Sequence, residues 1–238
     1  MIDFPQDILN KFIVRKDYLE WINKETSIIA YLDLTNMFHW QDVLGWRFRI
    51  EDIIKQLFIF QSIKEVKVYY GLNPRDKANS EAFLNRIKKA GATLRPNPPK
   101  EMKFIKKDIN EALFFQRRTM TLFDGQVKNK IYELIDELKK SGIIIEEPKC
   151  NFDVEMTMDM LDDVEKITAI MLFSGDSDMK APLERLKVKG KKIGIVGVRG
   201  MVAGELHRLK DKYIDFGKFY TGKRTYIESE NPAFGGTA

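Results

Sequence analysis

The run Thr168 to Met179, TAIMLFSGDSDM, constrains the chain more than any other: an uninterrupted apolar stretch breaks off into Ser174, Gly175, Asp176, Ser177 and Asp178. A short continuous apolar run closed by turn residues reads as a strand buried on both faces. Two carboxylates then stand where that strand leaves its sheet. In an open α/β sheet the crevice beyond the carboxyl ends of the strands is the usual ligand site, and clustered acids there point to a bound cation.

Ser27 to Leu34 (SIIAYLDL) reads as a second buried strand with Asp33 at its carboxyl end and Thr35 and Asn36 just beyond. A helix over Arg49 to Ser62 and a strand over Val66 to Tyr70 follow, and strand, helix, strand implies a right-handed parallel crossover. The pattern continues with a helix Asp76 to Ala90 ended by Gly91, a strand Ala92 to Arg95, a helix Gln126 to Lys140 stopped at Gly142, and a strand Ile143 to Ile145. Lys100 to Asp124 is expected as an inserted loop and helix. Asn151 to Glu165 is expected as a helix with Val154, Met158, Leu161 and Val164 on its core face, capped by Asn151 or Asp153, with Asp159 in solvent. A helix through Leu183 and Leu186, a strand Lys192 to Val196, a helix Val202 to Lys210 and a strand Tyr213 to Phe216 complete the order. The fold class is α/β, three layers (α/β/α) about a mainly parallel central sheet. Residues 1–26 read as a helical extension, Pro5 to Lys24 forming a docked helix that would also suit a homodimer contact. The main domain spans 27–217 with an insertion at about 100–142, and 218–238 is a basic, then flexible tail.

Composition narrows the chemistry. At 238 residues, 44% hydrophobic and 32% charged, the chain suits a folded domain rather than a disordered one. One cysteine excludes an internal disulfide framework, and two histidines make a His-rich metal site a poor fit. The net charge of +5 permits a polyanionic partner. Neither a signal peptide nor a membrane span is read at the N-terminus, so no membrane association and a cytoplasmic location are expected.

Parallel strands align their carboxyl ends, so Asp33, Asp153, Asp176 and Asp178 are expected to converge within metal-bridging distance. Crowded carboxylates disfavour one another's ionisation unless a cation neutralises them, and Mg²⁺ or Mn²⁺ suits an all-oxygen set. Helix capping or a solvated strand end explains each acid taken singly. Asn36, Thr35 and Ser174 could orient the acids or a metal-bound water, and Lys180, Arg199, Lys218, Lys223 and Arg224 could neutralise phosphates. Phe38, Trp40 and Trp46 could stack on unpaired bases, although core packing is their blander role.

The segments AYLDLTN, KCNFDVEMTMDM, IMLFSGDSDMKAPLERLKVKGKKIGIVG and LHRLKDKYIDF together resemble the NYN domain, a PIN-like nuclease family that includes the LabA-like bacterial proteins. The resemblance covers Ser27 to Gly217, with SGDSD its most specific part. It implies a PIN-like fold and a metal-dependent ribonuclease acting on RNA, single-stranded for preference. Asp33, Asp153, Asp176 and Asp178 would hold Mg²⁺ or Mn²⁺, a metal-bound water would attack in line, and a 5′-phosphate would result. The chain departs from the pattern in carrying Lys100 to Gly142 before the second acid, and Asn151 and Phe152 where many members have Gly. A non-catalytic RNA-binding or protein-interaction module of the same fold is the alternative. A haloacid dehalogenase-like phosphatase is weaker, because Thr35 stands where its second Asp is needed.

Overall fold

A computed structural model of the chain describes residues 15–71, 77–97, 100–104, 124–140, 145–149 and 152–227. The expectations for Pro5, for Asn151 and for the flexible end of the tail lie outside these residues. The chain divides into two compact units, 1–97 with 151–238, and 98–150.

The larger unit is built on six strands, β1 (Ile28–Asp33), β3 (Ile63–Gly71), β4 (Thr93–Asn97), β7 (Ala169–Phe173), β8 (Lys192–Gly197) and β9 (Lys212–Asp215). Every neighbouring pair is parallel, in the order β4-β3-β1-β7-β8-β9. The chain winds outward in one direction from β1 and in the other from β7, so the switch point where a cleft opens lies between these two strands. Both are apolar runs buried along their length, as central parallel strands must be.

Alternation along the strands sorts the two faces. Ala30, Leu32, Met171 and Phe173 face α1 (Lys16–Lys24), α2 (Leu34–Leu44), α3 (Ile50–Leu57) and α4 (Lys77–Lys89), sharing one core with Ile22, Trp40, Ile54 and Ile87. In α3 the buried residues Ile50, Ile53, Ile54 and Leu57 recur at helical spacing. Helix α1 is docked on its own chain: a Cβ on Gly194 of β8 would lie 2.5 Å from the Trp21 ring, so glycine makes the seat for that indole. On the opposite face, Tyr31, Lys67 and Tyr69 meet α6 (Asp153–Asp162), beside α7 (Lys180–Val188) and α8 (Gly204–Leu209). A short pair, β2 (Trp46–Arg47) with β10 (Thr225–Tyr226), is antiparallel.

Several expectations are corrected. The core side of α6 is Met156 and Met160, while Val154, Met158 and Leu161 are exposed, because the inward face of this helix also carries the half-buried Asp159 and so reads as polar. Asp159 accepts hydrogen bonds instead of facing solvent. Phe152 occupies the cap position with no side-chain cap, and Asp153 sits inside the first turn, where a negative charge suits the helix dipole. Phe216 begins a short helix, α9 (Phe216–Phe219), rather than ending a strand, and Phe219 and Tyr220 are buried core residues rather than part of an appended tail.

In the smaller unit, Lys100–Phe104 is a strand, β5, where a loop was expected. It pairs antiparallel with β6 (Ile145–Lys149), which begins where the sequence pattern places a strand end; helix α5 (Gly125–Lys140) lies between them in sequence.

Candidate metal centre at the switch point

Asp33 ends β1 on the same sheet face as Tyr31, the face that α6 covers. Its carboxylate is held at both oxygens: Oδ1 accepts from the Asn36 backbone N–H at 3.1 Å, and Oδ2 accepts from the Ser174 hydroxyl at 3.0 Å. The first bond caps α2, and the second ties β1 to β7 across the switch point. Ser174 is fully buried, and its Oγ also accepts from the Asp176 N–H at 3.2 Å, so one hydroxyl joins the two acidic loops. Asn36 makes a second bridge, its Oδ1 accepting from the Gly175 N–H at 3.0 Å and from Trp40 Nε1 at 3.1 Å.

Gly175 is required by contact. A Cβ there would lie 1.8 Å from the carbonyl oxygen of Met201, and the Gly175 carbonyl in turn accepts from the Ala203 N–H at 3.0 Å. The turn after β8 therefore clamps SGDSD from the far side. Glycine was visible in the sequence only as a turn residue, since its partner lies far along the chain.

Burial pushes the Asp33 carboxyl above its ordinary value of 3.8; the Asn36 and Ser174 hydrogen bonds oppose that, and the charges of Asp153 and Asp176 add to it. The structure thus brings Asp33, Asp153 and Asp176 into one electrostatic neighbourhood. Asp178 is exposed on a helical turn, its N–H donating to Asp176 Oδ1 at 3.0 Å. Thr35 is exposed on the first turn of α2.

Among the described residues no three His, Cys, Asp or Glu side chains form a ready metal-holding group, so the expected convergence to bridging distance is not present. Two features account for it: Asp33 and Asp176 each spend an oxygen on capping a turn, and like charges hold carboxylates apart. The donor set still fits a hard divalent cation in kind, being carboxylate oxygens with amide and hydroxyl oxygens beside them. Each bonded carboxylate oxygen keeps a further lone pair for such an ion.

The basic candidates separate. Lys180 lies 3.8 Å from Glu184, and Arg199 and Lys218 are exposed in the segments following β8 and β9. Lys223 is exposed near the chain's described end. Arg224 is committed to the fold: it donates to the carbonyls of Gly217 and Tyr220 at 2.8 and 3.1 Å and lies 4.7 Å over the Trp46 ring. Trp40 and Trp46 are buried, whereas Phe38 is exposed.

A second polar cluster, unread in the sequence, lies deeper under α6. Lys67 and Tyr31 both donate to Asp163, the tyrosine at 2.8 Å. Tyr69 donates to Asp159 at 2.6 Å, and Arg95 makes a two-pronged bond to the same carboxylate at 2.8 and 3.0 Å. Burial works to raise Asp163, but bonds from Lys67, Tyr31 and Lys166 carry it below the usual carboxylate range.

Comparison with known proteins agrees with this architecture. Residues 27–220 match the model of the NYN domain. The low amplitude and bright protein LabA of Synechococcus elongatus is 26% identical over 210 residues, covering 88% of this chain and 92% of that protein. A crystal structure of a protein of unknown function from Vibrio parahaemolyticus superposes with a TM-score of 0.54 at 15% identity, over 80% of this chain and 92% of that one, a likeness of fold alone. No helix among the described residues is long and apolar enough to cross a membrane. With the family model spanning most of the chain and the acids of SGDSD and AYLDLTN set on either side of the switch point, the chain belongs to the NYN domain family, a family of nuclease-like fold.

Proposed function

We propose that the chain is a metal-dependent ribonuclease that hydrolyses phosphodiester bonds at the carboxyl ends of β1 and β7. The observation that supports this most is the half-buried Asp33 at the end of β1, fixed by Ser174 and Asn36 beside the charges of Asp153 and Asp176. Like charges gathered at the carboxyl ends of two central strands oppose one another's ionisation, and a bound cation would relieve that repulsion. Membership of a nuclease-like family supports the same reading.

A hard divalent cation, Mg²⁺ or Mn²⁺, would supply Lewis acidity toward a phosphate oxygen and a water of lowered pKa. Asp33, Asp153 and Asp176 would hold it, with Asp178 nearest the solvent side. Ser174 keeps the Asp33 and Asp176 segments in register, and Asn36 fixes the backbone of the SGDSD turn. Lys180, Arg199 and Lys218 are the exposed cations at this end of the sheet that would meet flanking phosphates of single-stranded RNA. A non-catalytic RNA-binding module is the second reading, favoured by the absence of a ready metal-holding trio among the described residues.

Single-turnover cleavage of single-stranded RNA with Mg²⁺ or Mn²⁺ tests the proposal, comparing wild type with Asp176→Asn. The proposal expects cleavage by wild type and a loss of at least about 100-fold in the variant, as for removal of a charge that acts on the transition state. RNA bound but uncut with every divalent metal would favour the second reading. Equal cleavage by the variant would place the activity elsewhere.

A further inference from the structure

We infer that the depression beside Phe38 is a base-stacking subsite for one unpaired nucleobase of a single-stranded RNA, with Arg49 carrying a neighbouring phosphate. The inference rests on the ribonuclease reading only for the identity of the strand. Of the three aromatic residues after Asp33 singled out above, Trp40 and Trp46 are buried in the core, but Phe38 keeps 36% of its surface exposed. Its ring lies 6.3 Å from that of Phe83, and Phe83 lies 4.8 Å from Tyr70. Tyr70 follows Tyr69, the residue paired with Asp33 across β1 and β3, so this aromatic row begins at the acidic end of the sheet. Helix α2 starts right after Asp33, which sets Phe38 about 7.5 Å along the helix axis from the acid.

Phe38, Phe48 and Phe83 line a cavity of about 380 Å³ together with Arg49, Glu51 and Arg86. That volume falls within the range of small-ligand sites. The charges are arranged around one buried carboxylate. Arg86 Nε lies 2.8 Å from Glu51 Oε1, Arg49 Nη2 lies 3.9 Å from the same oxygen, and the Arg86 guanidinium sits 5.6 Å over the Phe83 ring. Glu51 thereby orders Arg86 and leaves the rim one positive charge in excess. The Arg49 side chain remains 60% exposed, available to an anion. An exposed aromatic ring, a guanidinium held beside it and a second, exposed guanidinium are the elements that bind a planar base and its phosphate in single strands. A base stacked here would place the chain running toward Asp33.

The test is fluorescence anisotropy with the full chain and a labelled single-stranded RNA of mixed sequence in EDTA, where cleavage does not intervene. Phe38→Ala should weaken binding about tenfold, and Phe38→Trp should hold it at the wild-type level. Arg49→Gln should weaken all sequences alike and lower the slope of log affinity against log salt by about 0.7. Thermal melting of each variant separates these effects from unfolding. Wild-type affinity in both Phe38→Ala and Arg49→Gln overturns the inference, as does wild type that binds no single strand; a groove that serves a protein partner would give that result. Cleavage is read separately with Mn²⁺. Phe38-dependent binding without cleavage upholds the subsite while removing the nuclease reading, and cleavage with Phe38-independent binding does the reverse.

Discussion

Two acidic clusters lie on the same face of one sheet, under the same helix, and differ in how their charge is met. At the amino-terminal side of α6, Asp153 and Asp176 add their charges to a half-buried Asp33 that accepts hydrogen bonds from an amide and a hydroxyl. Beyond the other end of α6, Asp163 takes Lys67, Lys166 and Tyr31, while Asp159 within its last turns takes Arg95 and Tyr69. The deeper cluster is complete within the chain and fastens α6 to β1, β3 and β4. The upper one is the site proposed for a divalent cation. The acids paired with Lys67 and Arg95 hold the fold, and those at the strand ends form the proposed site.

The largest effect expected of this contrast is in stability. Asp163→Ala leaves Lys67 buried without its principal partner and should cost about 3–5 kcal/mol, read by urea or thermal unfolding. A variant within about 1 kcal/mol of wild type would show that water reaches Lys67 and that the cluster is not a fastening. Next comes Gly175→Ala, which must push SGDSD away from the Met201 carbonyl. A displacement near 1 Å should lower cleavage by about 100-fold while the fold survives, measured by single-turnover kinetics beside circular dichroism. Unaltered cleavage would mean that the clamp from the β8 turn does not set the site.

Asp33→Asn sharpens the contrast through pH. The Asp33 carboxyl is raised in the folded chain, so both states are protonated below the ordinary value of 3.8, and stability is lost as pH rises through the raised folded value. Asparagine removes that loss. In EDTA, the variant should melt with wild type at pH below 3.8 and above it near neutrality. Asp163 has the opposite sign: its lowered value contributes stability above the ordinary carboxylate range that disappears as pH falls. The smallest effect is for Arg95→Gln, whose half-exposed guanidinium should be worth about 1 kcal/mol to the cluster in a denaturant titration.

The strand ends were legible because a buried apolar run that stops at an acid has few other meanings. Asp33 and Asp176 were found in that way, and the parallel order followed from strands separated by helices. The inward face of α6 was not legible. Val154, Met158 and Leu161 recur at core spacing and yet are exposed, whereas the true inward face mixes Met156 and Met160 with Asp159, whose cationic partners come from strands far away in sequence. A helix buried partly through ion pairs carries no hydrophobic stripe to read. The pairing of β5 with β6 escaped notice for a similar reason, since Lys100–Phe104 alternates charge with only scattered apolar residues.

Binding of Mn²⁺ at neutral pH, by isothermal titration of metal-free wild type and Asp33→Asn, tests the central claim that the upper acids await a cation. The account predicts saturable binding and a melting temperature that climbs with Mn²⁺ in wild type, both lost in Asp33→Asn, whose metal-free form is the more stable of the two. Equal Mn²⁺ affinity in the two proteins, or none in wild type, would contradict it.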